Sequence, residues 1–236
     1  MTLQHIIDAI EASPRPLQAK LDALKEAFET QLAPPEVVSI MQRATQALVD
    51  SRQAESALKA GNRVPQFNLP DSNGEPYSLQ HLLNKGPLVL TFYRGIWCPY
   101  CNFDLRALEE SRLDLESRGA QLVAVSQQTA ANSRKSKEAN HLGFPILVDT
   151  KGDLGHQFGL RWQVPEDLKA VHKQLGADLE VFNGESSWTL PMPARYVIDQ
   201  DGVIVYSEVN PDYTRRPDPS ELLAVLDGLK KVKSRV

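Results

Sequence analysis

The first quarter of the chain, residues 1–62, has apolar residues spaced as they are on amphipathic helices. Ser13-Pro14 opens the first of two such stretches, Pro34-Pro35 separates them, and Gly61 is a typical stop after the second. The apolar positions are Leu17, Leu21, Leu24, Phe28 and Leu32, followed by Val37, Ile40, Met41, Ala44 and Leu48. A period of three to four residues places these side chains on one helix face. We therefore predict a helical extension that packs against the main domain or a second subunit and takes no part in chemistry.

From residue 63 onward, apolar runs of strand length alternate with helical segments. The predicted strands are 87–93, 121–126, 145–149, 194–198 and 203–209, and the predicted helices are 78–83, 99–118, 130–142, 153–159 and 219–231. The Asp-Gly turn in Asp199–Gly202 is typical of a hairpin, whereas residues 160–192 are interpreted as an irregular insert. This order predicts an α/β fold whose mixed central sheet, with parallel crossovers and an antiparallel edge, is covered by helices on both faces.

Composition and charge exclude several classes of protein. Apolar residues make up 42% of the 236 and charged residues 24%, which is typical of a globular chain with a packed core. The net charge of −4 offers no positive surface for nucleic acid or anionic lipid, and no apolar run approaches the length of a membrane span. The first residues lack the basic and apolar regions of a signal peptide. We therefore expect a cytoplasmic protein that binds neither nucleic acid nor membranes.

The chain contains two cysteines, Cys98 and Cys101, and they directly follow the predicted strand 87–93. Pro99 is favoured at the first position of a helix, so Cys98 is predicted at the N-cap. The partial positive charge of a helix N-terminus favours thiolate over thiol. Cys101 then lies one turn into the helix and is more buried. We predict a redox-active dithiol whose sulfurs are close enough to form a disulfide, with Cys98 the more exposed.

Other interpretations of the pair have less support in the sequence. A zinc site needs two further ligands, but no cysteine remains and the five histidines form no pair at metal-binding spacing, so no metal is predicted. The histidines are interpreted as surface or core residues. A permanent disulfide closing so small a ring constrains the unfolded chain little. Inert buried thiols remain an alternative.

Three segments resemble the alkyl hydroperoxide reductase and thiol-specific antioxidant family, within its peroxiredoxin-like branch. They are Pro65–Leu69 with the turn that follows it, Phe92–Cys101, and Pro211–Pro217. The resemblance covers about residues 63–232 and implies a thioredoxin-like, peroxiredoxin-type three-layer fold for a domain of residues 63–236, with 1–62 as an added helical extension.

By this resemblance, Cys98 occupies the position of the peroxide-attacking cysteine, and Cys101 that of the second, buried cysteine of thioredoxins. Two peroxiredoxin positions differ in this chain. Gly95 stands where the family usually has Thr or Ser, and Thr91 where it has Pro. Thioredoxins keep a buried Asp at the position of Thr91, so no proton acceptor for Cys101 is evident. The family arginine that helps to bind peroxide falls at about Pro193 and is missing there.

Several residues are candidates for the substrate-binding part of the site. Arg94 ends the strand before the cysteines, and Trp97 directly precedes Cys98. Arg195 lies two residues after Pro193, and alternate residues of a strand face the same side, so it could replace the family arginine. The resemblance implies that Pro193 is a cis-proline facing the cysteine pair. Arg215-Arg216 is predicted to lie in a solvated loop or to tie that loop to an acidic neighbour.

The resemblance implies a thiol peroxidase that cycles Cys98 and Cys101 between dithiol and disulfide. Its partners would be a hydroperoxide and an external dithiol reductant such as thioredoxin, and the protein is expected to be a homodimer. No metal, flavin or haem cofactor is required, because sulfur carries the chemistry. Two alternatives stay open at this point: a thioredoxin-like protein disulfide oxidoreductase, and a non-enzymatic redox-responsive interaction protein.

Overall fold

The computed structural model describes residues 2–233, and its centre is a five-stranded mixed sheet. The strands are β1 (Asn68–Pro70), β2 (Pro76–Ser78), β3 (Leu88–Phe92), β4 (Gln121–Ser126), β5 (Ile146–Val148), β6 (Arg161–Gln163), β7 (Thr189–Pro191), β8 (Ala194–Ile198) and β9 (Ile204–Val209). The central sheet has the order β5-β4-β3-β8-β9. Strands β3, β4 and β5 are parallel, and β8 and β9 are antiparallel. The predicted mixed sheet with an antiparallel edge is confirmed.

Helices cover both faces of this sheet. They are α1 (Leu3–Glu11), α2 (Leu17–Ala27), α3 (Pro35–Asp50), α4 (Gln53–Ser56), α5 (Leu79–Lys85), α6 (Pro99–Glu110), α7 (Arg112–Ser117), α8 (Ala130–Ala139), α9 (Asp153–Gln157), α10 (Glu166–Gln174), α11 (Leu179–Asn183) and α12 (Ser220–Lys233). The predicted helix 99–118 is divided at Ser111 into α6 and α7. None of the helices in residues 2–233 is both long and apolar enough to cross a membrane.

Strand β3 lies in the middle of the sheet, and all five of its residues are buried. A strand covered on both faces is an uninterrupted apolar run rather than an alternating one, which is the pattern of Leu88–Phe92. Its side chains enter two apolar cores in turn, Val89 on the face of the cysteines and Leu88 and Leu90 on the other. This strand therefore carries the chain to the cysteine pair from a rigid position.

The interpretation of residues 160–192 as irregular is wrong. The segment contains two antiparallel strands, β6 and β7, and between them α10 and α11. Each strand has three residues and the helices have nine and five, so none fills the window of 11 to 18 residues over which a period can be recognised.

The first quarter of the chain is helical, as predicted, but its limits differ. Helix α1 was not predicted, Pro16 rather than Ser13-Pro14 precedes α2, and the last helix ends at Ser56 instead of near Gly61. A π-helical segment, Phe28–Leu32, continues α2. Three leucines of α2 are buried in the same core as both cysteines: Leu17, Leu21 and Leu24. The extension therefore packs directly on the part of the fold that holds the cysteines.

Candidate active site

Cys98 lies at the N-cap of α6, as predicted from Pro99. Its backbone is extended, with φ −95° and ψ 105°, and Pro99 occupies the first turn of the helix. The Cys98 amide donates to the carbonyl of Gly95 over 3.0 Å, which closes a turn between β3 and α6. The Cys98 carbonyl in turn accepts from the amide of Cys101 over 3.0 Å. The loop after β3 thus holds one sulfur at the helix terminus and the other one turn inside.

The prediction that Cys98 is the more exposed cysteine is wrong, because both are buried. Cys98 is 1% exposed and Cys101 0%, and both are free thiols. The two side chains are hydrogen-bonded to each other, so the sulfurs are in contact. Burial at a helix N-terminus arises here because other elements cover Cys98, among them α2 and the segment containing α10.

Arg94 is buried, with 4% of its surface exposed, and directs its guanidinium at Cys98. Its Nη1 lies 3.7 Å from the Cys98 sulfur, and its Nη2 lies 3.4 Å from Nε2 of His172. The guanidinium is held between two aromatic rings, 4.7 Å from the centre of Trp97 and 4.1 Å from that of Tyr213. These contacts hold a positive charge beside the sulfur in a buried site.

Arg216 places its guanidinium at the Cys101 sulfur, as Arg94 does at Cys98. The prediction that Arg216 lies in a solvated loop is therefore wrong. It is buried, and its Nη2 donates to the Cys101 sulfur over 3.4 Å. Its Nε forms an ion pair of 3.2 Å with Asp104, so the predicted link to an acidic neighbour is present. The same carboxylate pairs with buried Arg195, on β8. One carboxylate therefore faces two guanidiniums, and one of these guanidiniums faces a sulfur.

The two thiols have opposite pKa shifts. Burial raises the pKa of Cys98, but the hydrogen bond from Cys101 and the charges of Arg94 and Arg216 outweigh it and lower the pKa to about 6. Burial also raises the pKa of Cys101, and the hydrogen bond to Cys98 and the negative charge of Cys98 raise it further, well above its ordinary value. At neutral pH the pair therefore consists of a Cys98 thiolate and a Cys101 thiol, which is the protonation state of a nucleophile with a resolving partner.

A pH titration tests this assignment. The pKa of Cys98 is about 6 in the folded protein against 9.0 as its ordinary value, so ionisation stabilises the fold fully above about pH 9. This stabilisation is lost as the pH falls through 6. We expect the thiolate absorbance of the reduced protein to titrate with a midpoint near pH 6, and its free energy of unfolding to rise between pH 6 and 9. Cys98→Ser is the control and should lack both changes, whereas a wild-type midpoint near the ordinary value of 9.0 would contradict the assignment.

A cavity of about 120 Å³, called the inner cavity here, opens onto Cys98 and Arg94. Three buried nitrogens around it have no hydrogen-bond partner within residues 2–233, namely Nε of Arg94, Nε1 of Trp97 and Nδ1 of His172. Burial and the charge of Arg94 lower the pKa of His172 to about 3, so the imidazole is neutral at pH 7. The cavity thus has three nitrogens that can still form hydrogen bonds, next to a thiolate.

The structure does not bring Pro193 and Arg195 into the inner cavity. The bond before Pro193 is trans, so the prediction of a cis-proline is wrong. Two backbone hydrogen bonds fix the chain at Pro193. The amide of Met192 donates to the carbonyl of Leu160 over 2.9 Å, and the amide of Asn210 donates to the carbonyl of Pro193 over 3.1 Å. Arg195, on β8, lies opposite Thr91 on β3. Its guanidinium forms an ion pair with Asp104 and does not face the inner cavity. Of the candidate substrate-binding residues, Arg94 and Trp97 line the cavity.

The structure explains why a glycine stands at position 95, where the family resemblance implied Thr or Ser. Its φ is +156°, and a Cβ atom there would lie 2.4 Å from Nε1 of Trp97 and 3.1 Å from Oε1 of Gln128. That Gln128 oxygen is already held by the amide of Ile96 over 2.8 Å. A side chain at position 95 would therefore displace Trp97 from the site.

We expect Gly95→Thr to lower stability and peroxide turnover rather than restore a family feature. Overpacking of this kind costs about 1–3 kcal/mol. Gly119→Thr is the matched control, because Gly119 also has a positive φ, +82°, but no atom lies within 4 Å of its Cβ position. Chemical denaturation of both variants separates the clash from backbone strain. Equal losses of stability in the two variants would show that the contact with Trp97 is unimportant.

Sequence reasoning missed two residues of the site. His172 lies in the segment interpreted as irregular, and nothing in the local pattern distinguishes it from the other histidines. Arg216 belongs to the segment Pro211–Pro217 that carried part of the family resemblance, so a signal for it was present. Both residues meet the cysteines through tertiary contacts between segments that are distant in sequence.

Comparison with known proteins identifies the family of the chain. The AhpC/TSA family profile matches residues 60–207, well over half of the chain. The chain belongs to the AhpC/TSA family. It is accordingly a peroxiredoxin-like thiol peroxidase. The family match covers the cysteine pair, Arg94 and Asp104, and it leaves out residues 1–59 and Arg216.

Individual relatives of this AhpC/TSA protein are named either as peroxiredoxins or as thioredoxin-like proteins. It is 27% identical over 169 residues to Peroxiredoxin Q, chloroplastic, of Oryza sativa subsp. japonica, which covers 72% of this chain and 67% of the relative. It is 29% identical over 154 residues to the thioredoxin-like protein YneN of Bacillus subtilis, covering 64% and 71%. The crystal structure of peroxidoxin BcpB from Mycobacterium tuberculosis superposes with a TM-score of 0.57 at 23% identity, covering 72% of this chain and 97% of that one. The structural likeness supports the thioredoxin-like fold.

Proposed function

We propose that this enzyme reduces hydroperoxides through a dithiol–disulfide cycle of Cys98 and Cys101. The observation that carries the proposal is the contact between two buried thiols with opposite pKa shifts, each facing its own guanidinium. Cys98 has the lowered pKa and faces the inner cavity, so it is the nucleophile. Cys101 is hydrogen-bonded to Cys98 and lies behind it in α6, so it is the resolving cysteine.

In the first step, the Cys98 thiolate attacks one peroxide oxygen. The oxygen–oxygen bond breaks, a sulfur–oxygen bond forms, and the leaving alkoxide takes up a proton to become an alcohol, or water if the substrate is hydrogen peroxide. Cys98 is oxidised by two electrons to a sulfenic acid. Arg94 lies 3.7 Å from the sulfur and stabilises the negative charge as it moves from sulfur to the leaving oxygen. The unpartnered nitrogens of Trp97 and His172 are placed to hold the peroxide in position.

In the second step, Cys101 attacks the oxidised sulfur of Cys98. A disulfide forms, and the hydroxyl group of the sulfenic acid leaves as water with the proton of Cys101. The thiol of Cys101 must ionise for this attack, and Arg216, at 3.4 Å from its sulfur, stabilises that thiolate. An external dithiol such as thioredoxin then transfers two electrons to the disulfide and restores both thiols.

A protein disulfide oxidoreductase is the second candidate, and the Cys-x-x-Cys pair at the N-cap of α6 favours it. An exchange reaction with a protein disulfide requires a sulfur that a bulky partner can reach. Cys98, at 1% exposure, does not offer one in the reduced fold. The peroxidase is therefore the function that the geometry supports best, because a peroxide is small enough to enter the inner cavity.

Two assays on one preparation test the proposal. The first follows hydrogen peroxide consumption in the presence of thioredoxin, its reductase and NADPH. The second follows reduction of insulin disulfides. We expect peroxide-dependent oxidation of NADPH and no reduction of insulin above background. Insulin reduction without peroxide consumption would reject the peroxidase and favour the oxidoreductase.

A further inference from the structure

The inner cavity at Cys98 adjoins a larger space. An outer cavity of about 470 Å³ lies between the helical extension and the loop that contains Tyr213. The two cavities share four lining residues, all with apolar or aromatic side chains: Phe28, Met41, Tyr100 and Tyr213. The mouth of the outer cavity is polar, with Glu29, Gln42 and Arg43 among its residues. Because they share these walls, the two cavities lie side by side, and a ligand that spans both would follow a route from the polar mouth, past apolar side chains, to the sulfur.

The helical extension builds one side of this route. Phe28 begins the π-helical segment after α2, and Met41 lies in α3. Both are partly exposed, because they pack against the core around Val37 on one side and line the two cavities on the other. π-Helical segments occur frequently at functional sites, because the extra residue changes the direction of the side chains. These residues lie outside the range 60–207 that the family profile matches.

We propose that the extension is the specificity-determining part of the site, and that Phe28 and Met41 bind the apolar group of an alkyl or aryl hydroperoxide. The inference rests on the proposed peroxidase function. The peroxide group lies at Cys98 and Arg94, and its organic substituent projects along the apolar middle of the route. Engineered apolar cavities of about 150 Å³ bind benzene. The inner cavity of about 120 Å³, continued by the outer one, therefore accommodates a substituent of that size.

This inference is an alternative to the prediction that residues 1–62 take no part in chemistry. The extension contributes Leu24, Phe28 and Met41 to the walls around Cys98, whose burial it completes. Hydrogen peroxide has no substituent to contact these residues. Their contribution to catalysis should therefore depend on the size of the hydroperoxide.

The test compares kcat/KM for cumene hydroperoxide, tert-butyl hydroperoxide and hydrogen peroxide in the full-length protein. We expect Phe28→Ala and Met41→Ala each to lower the ratio of kcat/KM for cumene hydroperoxide to that for hydrogen peroxide by about tenfold, as for a lost apolar pocket contact. The ratio for tert-butyl hydroperoxide should fall less. Ile40→Ala is the matched control, because Ile40 adjoins Met41 in α3, packs against the core around Val37, and lines neither cavity.

The possible outcomes separate the two proposals. Equal changes for all three peroxides, or the same change of ratio in Ile40→Ala, would overturn the role of the extension and leave the peroxidase intact. Absence of turnover with any peroxide in the wild-type protein would reject the peroxidase itself. Thermal denaturation of each variant identifies those that have lost their fold. Met41→Trp is a further variant, which narrows the route and keeps its wall apolar. Among the three peroxides, it should lower kcat/KM most strongly for cumene hydroperoxide.

Discussion

Replacement of Cys98 by serine will abolish peroxide turnover. A serine hydroxyl is not ionised at neutral pH and cannot pass through a sulfenic acid, so both nucleophile and electron donor are lost. The substitution changes one buried atom, and we expect the variant to stay folded. Steady-state peroxide consumption should drop to the level of a blank without enzyme. Measurable turnover in Cys98→Ser would exclude Cys98 as the peroxide-reducing residue.

Cys101→Ser will behave differently, because only the resolving step is removed. The serine hydroxyl can still donate a hydrogen bond to the Cys98 thiolate, and Arg94 remains in place, so the first step should proceed once. The enzyme should then stop as a sulfenic acid. After one equivalent of peroxide, mass spectrometry should find one added oxygen on the peptide containing Cys98, and dimedone should trap it.

The contrast between the two variants decides between the candidate functions. A disulfide oxidoreductase would give no dimedone adduct with Cys101→Ser at low peroxide, and it would instead trap a protein substrate as a mixed disulfide through Cys98. Detection of the trapped protein alone would overturn the peroxidase proposal. The adduct alone would exclude the exchange mechanism.

Asp104→Asn will cause the largest loss of stability among single substitutions near the site. Its buried carboxylate faces two buried guanidiniums, those of Arg195 and Arg216. Removing one member of a buried ionic group leaves uncompensated charge in a medium of low dielectric constant, which costs about 3–5 kcal/mol. An asparagine keeps the shape of the side chain, so the loss reports charge and not packing. Arg216 also loses the partner that holds it at Cys101, and the second chemical step should slow.

Chemical denaturation of the reduced protein measures this effect. Asp114→Asn, which removes an exposed carboxylate from the neighbouring helix α7, is the control and should change the free energy of unfolding by less than about 0.5 kcal/mol. If Asp104→Asn has an equally small effect, then the two arginines do not depend on the carboxylate. Rapid accumulation of the sulfenic acid in Asp104→Asn, compared with wild type, would link the ionic group to the resolving step.

The local part of the site follows from the sequence, because it depends on neighbouring residues. Pro99 after Cys98 predicts the N-cap, and the apolar run Leu88–Phe92 predicts the buried strand that leads to it. The Asp-Gly turn at Asp199–Gly202 predicts the hairpin, which is present between β8 and β9. The family resemblance was sufficient for the fold and for the reaction class.

The remaining part of the site depends on contacts between distant segments. Arg216 reaches Cys101 across 115 positions, and His172 reaches Arg94 across 78. The failed prediction of an exposed Cys98 has the same origin, because helical periodicity shows that α2 has an apolar face but not which surface that face will cover. Similarly, the alternation of β8 places Arg195 near the strand of the site, yet the position of Asp104 decides that it forms an ion pair there.

The sequence by itself determined that this protein has a mixed α/β fold with a polarised cysteine at the start of a helix. Local propensities and the spacing of apolar residues fix such features within a few positions along the chain. The tertiary structure alone decided the environment of the sulfurs: which arginines face them, that both are buried, and that the helical extension forms a wall of their cavity. Burial, charge pairing and cavity shape depend on the packing of elements from all parts of the chain, and no local pattern encodes them.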